Sequence, residues 1–250
     1  MDQLWHPSAS GGASSCTASV PVAEPVPLLN AHPYFPTTLR LPHYVPNTLS
    51  HASILGGFAA GLAALLVSAY VIARPPRGGR LRFLWFTLNA GLHLVFEGYF
   101  VVTSTTIAGS SSLLAQMWKE YALGDSRYLA NDPAVVAAEA LTVVVLGPLA
   151  AACAIAIARN RAIQWPLQLV ISSMHLFSCA MYMVMGLAGD AAHSRPEPIY
   201  LWGYMVAMNL PWIVVPLALI SQGARHVARH VPASAVSRSG ATKKKKGKTD

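Results

Sequence analysis

Residues 134–158 read AVVAAEALTVVVLGPLAAACAIAIA, an apolar run that contains a single charge, Glu139. A helix needs about 20 predominantly apolar residues to cross the hydrocarbon core of a bilayer, and this run is long enough. Lipid offers no partner to backbone N–H and C=O groups, so a spanning segment of this composition must be helical. A carboxylate at that depth costs about 2.5–3.5 kcal/mol on insertion scales, so it faces a protein interior and marks a site.

Four more apolar runs, at 52–73, 83–107, 166–188 and 199–221, have the same character. The expected fold is therefore all-α, a polytopic membrane protein built as a five-transmembrane-helix bundle. Composition agrees: 54% of the 250 residues are hydrophobic, 11% are charged and the mean hydropathy is +0.43, which excludes an ordinary soluble domain. Pro148, Pro211 and Pro216 fall inside the runs, where neighbouring helices can satisfy the carbonyls they free. Gly56, Gly57 and Gly61 on the first run allow close helix contact, within the bundle or in a homodimer.

The net charge of +8 does not indicate nucleic acid, because the cations lie between spans and in the terminal lysines at 243–248. Arg74, Arg77, Arg80 and Arg82, then Arg159 and Arg161, then the lysine tail alternate with loops in which Lys119, Arg127 and Arg195 are offset by Glu120, Asp125, Asp132, Asp190 and Glu197, leaving no clear cationic excess. That asymmetry predicts a lumenal N-terminus and a cytosolic C-terminus. Lysines three and five positions from the end match a retrieval signal for the endoplasmic reticulum. The expected organisation is a flexible segment at 1–31, a transmembrane domain at 32–222 and a basic cytosolic tail at 223–250. Cys16, Cys153 and Cys179 have no paired spacing and read as small apolar residues. In the loop at 108–133, Leu113, Leu114, Met117, Trp118, Tyr121 and Leu123 form a helical apolar stripe. The stripe predicts a helix lying along the interface or over a pocket entrance.

Within the spans, His93 and Glu97 are one helical turn apart and can share a proton. Glu139 and Thr142 stand three apart on the third span, as do Asn209 and Trp212 on the fifth. Burial in hydrocarbon keeps a glutamic acid protonated near neutrality, so it can serve as an acid, and an imidazole beside it can relay the proton. The plainer account is an interhelical hydrogen-bond network that orders the bundle. His175 in the fourth span fits a core histidine, and Trp212 alone fits an aromatic belt. His226 and His230 have metal-like spacing, but with Arg225 and Arg229 they read as a basic juxtamembrane helix and are assigned no metal.

Over about residues 32–222 the chain resembles the emopamil-binding protein family of membrane sterol isomerases, which contain the EXPERA domain. The residues that carry the resemblance are His32-Pro-Tyr-Phe-Pro36, Leu39-Arg-Leu, Val45-Pro-Asn47, His93-Leu-Val-Phe-Glu97-Gly-Tyr-Phe100 and the loop from Trp118 to Tyr128. Glu139, Thr142, Gly147-Pro148, Gln168-Leu, Met208-Asn209 and Trp212 complete it. The resemblance implies a five-span bundle in the endoplasmic reticulum membrane that moves a sterol ring double bond from position 8 to position 7, with no cofactor. It places His93, Glu97, Glu139, Thr142, Asn209 and Trp212 in the pocket, with Tyr121, Tyr128 and His175 as further candidates for holding the substrate or a cationic intermediate. The implied partners are a sterol and the surrounding membrane lipid. The chain departs from the family at His175 and Ser178, where glutamine and glycine are usual, which predicts altered substrate fit or a second proton carrier. Competing readings are an isomerase or cyclase for another terpenoid, a non-catalytic sterol or lipid receptor, and a transporter.

Overall fold

The computed structural model describes residues 31–230, and these are helical with no strand among them. The calls on the segment before residue 31, on Cys16 and on the terminal lysines lie outside the described residues. Four helical rods are long and apolar enough to cross a membrane: His51–Ala73, Pro133–Ala158, Gln164–Leu187 and Ile199–His230. Arg80–Thr103 is a fifth rod of comparable length, but Arg80, Arg82, Asn89, His93 and Glu97 make it more polar.

Helix α1 (His51–Ala73) starts on Ser50, whose hydroxyl accepts from the Ser53 amide, and stops where Arg74 adopts a left-handed conformation. Most of its surface is open, with Val67 and Ile72 well exposed as expected for a helix bathed in lipid, while Ile54 is buried against the bundle. Side chains added at Gly56 or Gly61 would meet nothing within 4 Å, so these glycines do not bring α1 close to a neighbour inside the bundle.

The second rod comprises α2 (Arg80–Gly91), a π-helical segment Leu92–Glu97, and α3 (Gly98–Thr103). After a loop come α4 (Leu113–Tyr121) and then the third rod, with α5 (Pro133–Leu141), a π-helical segment Thr142–Leu146, and α6 (Gly147–Ala158). Helix α7 (Gln164–Leu187) is continuous. The last rod joins a π-helical segment Ile199–Ala207 to α8 (Pro211–His230) through a turn at Asn209. Single-turn π-helical insertions concentrate at functional sites, and Leu92–Glu97 and Thr142–Leu146 carry His93, Glu97 and Thr142. Pro148 and Pro211 each stand just after a π-helical segment, where the missing N–H costs little because the regular ladder is already broken. Helix α8 continues beyond the predicted span limit of 221 to His230, so the first part of the basic tail is helical.

The two ends of the bundle are built differently. At one end Arg82 donates to Gln164 and Gln168 and lies over the Trp165 ring, while Trp165 stacks on His226 at 3.8 Å. Arg82, the start of α7 and the end of α8 therefore meet at one end of the bundle. His226 and His230 stack on each other at 4.1 Å, and His230 Nδ1 lies 2.8 Å from the His226 carbonyl oxygen.

At the other end, of the two placements expected for the loop helix, along the interface or over a pocket entrance, the first needs a solvated polar face, and α4 lacks one there: Trp118, Lys119 and Glu120 are all buried, while Met117, Glu120 and Tyr121 line a cleft. The reason is that its polar groups are answered from inside. Lys119 donates to the carbonyls of Val45 and Ser110, and burial pushes its pKa below the usual lysine value. Glu120 Oε1 accepts from Tyr204 at 2.7 Å and lies 2.6 Å from His51 Nδ1. The segment before α1 closes over this helix: Gln116 Oε1 accepts from the amides of Thr48 and Leu49, Tyr34 donates to the Lys119 carbonyl, and Ser126 donates to the Phe35 carbonyl. The motifs at 32–47 are thus a polar plug over α4.

Candidate active site

The second and third rods meet at their π-helical segments, and Gly147 permits the approach, since a Cβ there would lie 3.2 Å from that of His93. At this crossing the residues singled out from sequence form one hydrogen-bonded chain. His93 Nδ1 lies 2.6 Å from Glu97 Oε2, and Thr142 Oγ1 also donates to Glu97 Oε2. Thr142 Oγ1 is bound at 2.7 Å to the carbonyl of Glu139 and stands 3.5 Å from Glu139 Oε2. Tyr128, from the loop, donates to Glu139 Oε1 at 2.6 Å. At the other end of the chain His93 Nε2 lies 2.9 Å from His175 Nε2. Both imidazoles are buried, and the Glu97 side chain is 16% exposed. Two carboxylates, one hydroxyl and two imidazoles therefore lie in series, an arrangement in which a proton can be held or passed at each step.

An aromatic cage adjoins the carboxylates. Trp118 stacks on Phe96 at 4.3 Å and on Tyr128 at 4.8 Å, and its indole N–H donates to the Phe96 carbonyl. Tyr121 packs edge-on against Tyr128 and shares a 3.3 Å contact with the Tyr182 hydroxyl. Trp118, Tyr121 and Tyr128 are thus the wall behind Glu139. From Tyr121 an apolar cleft lined by Ile54, Leu55, Phe58, Phe96, Met117 and Met208 opens toward α1, with Glu120 and Tyr204 on its rim.

Asn209 stands in the turn between Ile199–Ala207 and α8, and Trp212 at the start of α8. Asn209 donates to the Tyr121 hydroxyl and the Met205 carbonyl, so it orients a phenol and not a carboxylate. Trp212 donates to Asn89 Oδ1 at 2.7 Å and packs 5.6 Å from Trp85. Sequence reasoning missed Trp85, Asn89 and Tyr182. The spacing of Trp85 and Asn89 was a usable signal, because both precede His93 on the same helix at intervals of four. Among the described residues no group of three or more His, Cys, Asp or Glu side chains is placed to hold a metal.

The family model for EBP, described as EXPERA (EXPanded EBP superfamily), matches residues 113–223. The chain is 38% identical to the 3-beta-hydroxysteroid-Delta(8),Delta(7)-isomerase of Cavia porcellus over 192 residues, covering 74% of this chain and 84% of the relative. The Mus musculus protein of the same name is 34% identical over 203 residues, 78% and 88% of the two chains. A probable enzyme of that name from Arabidopsis thaliana is 36% identical over 196 residues, 76% and 86% of the two chains. The chain belongs to the EXPERA family.

In this EXPERA protein the crossing of two π-helical segments brings His93, Glu97, Glu139, Thr142, Tyr128 and His175 together directly. Tyr121 and Asn209 join them through the cage, and Trp212 through Trp85, whose ring is 6.5 Å from that of His175. His175 therefore sits against His93 in the relay itself. The Tyr128 bond supplies a first prediction. Tyr128→Phe removes the donor to Glu139 while keeping the stacked ring, so the fold should hold and turnover should fall about 10-fold or more. Activity assays beside a thermal melt of the detergent-solubilised protein separate the two effects.

Proposed function

We propose that the protein is a sterol isomerase that moves the ring double bond of a 3-beta-hydroxysteroid from the 8 to the 7 position. The observation that carries this reading is the pair Glu97 and Glu139, held on one threonine hydroxyl beside an imidazole and an aromatic wall. The reaction needs a proton added to C9 of the C8=C9 bond, a tertiary cation at C8, and a proton removed from C7 to leave C7=C8. No net proton is consumed, and the residues required are an acid, a base and a face that tolerates positive charge.

With one of the two carboxylates protonated and the other ionised, the pair supplies an acid and a base at the same crossing. His93, bound to Glu97, restores the proton after each transfer. Glu139, kept in place by Tyr128 and Thr142, stabilises the cation or takes the departing proton. A cation over a desolvated indole face gains about 2 kcal/mol or more, a role open to Trp212, which packs at a tilt against Trp85. The apolar cleft that reaches Tyr121 suits a rigid hydrocarbon skeleton arriving from the bilayer.

The second rod, Arg80–Thr103, is on this reading a fifth crossing whose polar residues face the bundle interior, as intramembrane ionisable groups do. With five crossings, the shared side of Arg82, the α6–α7 turn and the end of α8 is cytosolic, and the segment before α1 is lumenal. The endoplasmic reticulum membrane is the matching location.

The test is sterol analysis by gas chromatography and mass spectrometry in yeast lacking its own sterol isomerase and expressing this chain. Conversion of the 8-ene sterol to the 7-ene product is expected. A well-expressed protein that leaves the 8-ene sterol untouched would overturn the assignment in favour of another terpenoid substrate or a binding role.

A further inference from the structure

His175 is 1% exposed, and its Nε2 faces His93 Nε2 at 2.9 Å. Two ring nitrogens at that distance hold one hydrogen between them, so one imidazole donates and the other accepts. The pair can therefore exist in two tautomeric arrangements that differ only by the direction in which the hydrogen points. The far nitrogen, His175 Nδ1, is buried and has no partner among the described residues. Two further buried polar atoms there are also without partners: Trp85 Nε1, on the ring packed edge-on against His175, and Ser172 Oγ, one turn earlier on α7. Buried polar atoms are nearly always paired, with protein or with ordered water, so the unpaired atoms of His175, of its ring neighbour Trp85 and of Ser172 mark a recess where water would pair them.

We propose that His175 is a proton-exchange arm of the active site, passing protons between water bound in this recess and the His93–Glu97 pair. This inference rests on the sterol isomerase reading and deepens it. The starting arrangement has His175 Nε2–H donating to His93 Nε2, and His93 Nδ1–H donating to the Glu97 carboxylate. A proton from water joins His175 Nδ1, the Nε2 hydrogen of His175 moves to His93 Nε2, and the Nδ1 hydrogen of His93 moves to Glu97 Oε2. The result is two neutral imidazoles with reversed tautomers, a protonated Glu97 and a hydroxide-equivalent left in the water. Running the steps backward returns the proton, so charge and atoms balance over a cycle. His175 touches His93 and not the reacting carbons, which makes it a positioning residue that decides where the delivered hydrogen comes from.

The substitution His175→Gln tests this, because the amide can still bond His93 but cannot pass a proton through itself. The assay runs wild type and His175→Gln in deuterated buffer with an 8-ene sterol and reads deuterium in the product by mass spectrometry. Wild type should incorporate solvent deuterium. In His175→Gln exchange should slow about tenfold relative to turnover, less than the 10²–10⁴ of a group that meets the reacting atoms because His175 acts through His93. Equal deuterium content in the two products would overturn the proposal. A second measurement is independent of catalysis: nitrogen-15 histidine NMR of the detergent-solubilised protein should show one imidazole hydrogen shared between two ring nitrogens and exchanging with water, lost in His175→Gln. Its absence from wild type would also overturn the proposal. If wild type converts no 8-ene sterol, the isomerase reading falls while the NMR result still decides the relay.

Discussion

Replacing Glu97 with glutamine should lower isomerase turnover by about 10²- to 10⁴-fold, the range expected when a positioned proton-transfer group is removed. The carboxylate stands where the relay from His93 meets the hydroxyl of Thr142, and Oε2 takes both contacts. An amide at that place fills the same space and keeps a hydrogen bond, yet it neither releases nor accepts a proton under these conditions. The loss should therefore appear in kcat with little change in the amount of folded protein. Glu139→Gln should produce a loss of similar order, since its two oxygens are held by Tyr128 and Thr142 at the same crossing. The double variant should be little worse than either single, because groups that act as a unit are strongly non-additive. Size-exclusion profiles of the purified variants beside sterol product analysis provide the check. Wild-type turnover in Glu97→Gln would remove the carboxylate from the mechanism.

The second large effect concerns stability. Asp125 and Arg127 are buried side by side, 2% and 8% exposed at the side chain, and the guanidinium donates to both carboxylate oxygens. The hydrogen bonds it donates to Asp125 hold the Arg127 pKa above the usual arginine value. Arg127 also lies over the Tyr182 ring, and the neighbouring Ser126 is tied to Phe35 and His193. Asp125→Ala would leave a buried guanidinium without its counter-charge, which costs about 3–5 kcal/mol. The expected result is a clear fall in the melting temperature of the detergent-solubilised protein, with activity lost as the Tyr128 and Tyr182 walls loosen. Adding Arg127→Met to Asp125→Ala should recover part of the stability, because the penalty comes from the unpaired charge and not from the missing pair. If Asp125→Ala melts like wild type, the loop is not a buried anchor.

Much of the fold and of the site was legible from local pattern. Long apolar runs dictate helices because lipid leaves the backbone no alternative, and acids inside those runs declare themselves by their cost. His93 with Glu97, and Glu139 with Thr142, could be paired in advance because each pair lies within one helical turn. The second rod was read as a span from 83 to 107, whereas its helix runs from Arg80 to Thr103 and its polar content sets it apart from the four more apolar rods. The loop helix was harder. Its apolar stripe left two placements open, along the interface or over a pocket entrance, because, apart from the nearby Ser110 carbonyl, the groups that answer Lys119 and Glu120 come from residues about 70 positions earlier and 84 positions later, beyond any local signal.

The sequence by itself determined which segments are helical, which acids fall inside apolar runs and which family the motifs resemble, since each follows from composition or from spacing along one helix. Only the tertiary structure decided that two π-helical segments cross at Gly147, that Tyr128 holds Glu139, and that His175 faces His93. It also sent Asn209 to Tyr121 and Trp212 to Asn89, by breaking the last rod at a turn. Contacts of this kind depend on the rotation and depth of one helix against another, and those are set by the packing of many side chains at once, which no single stretch of sequence encodes.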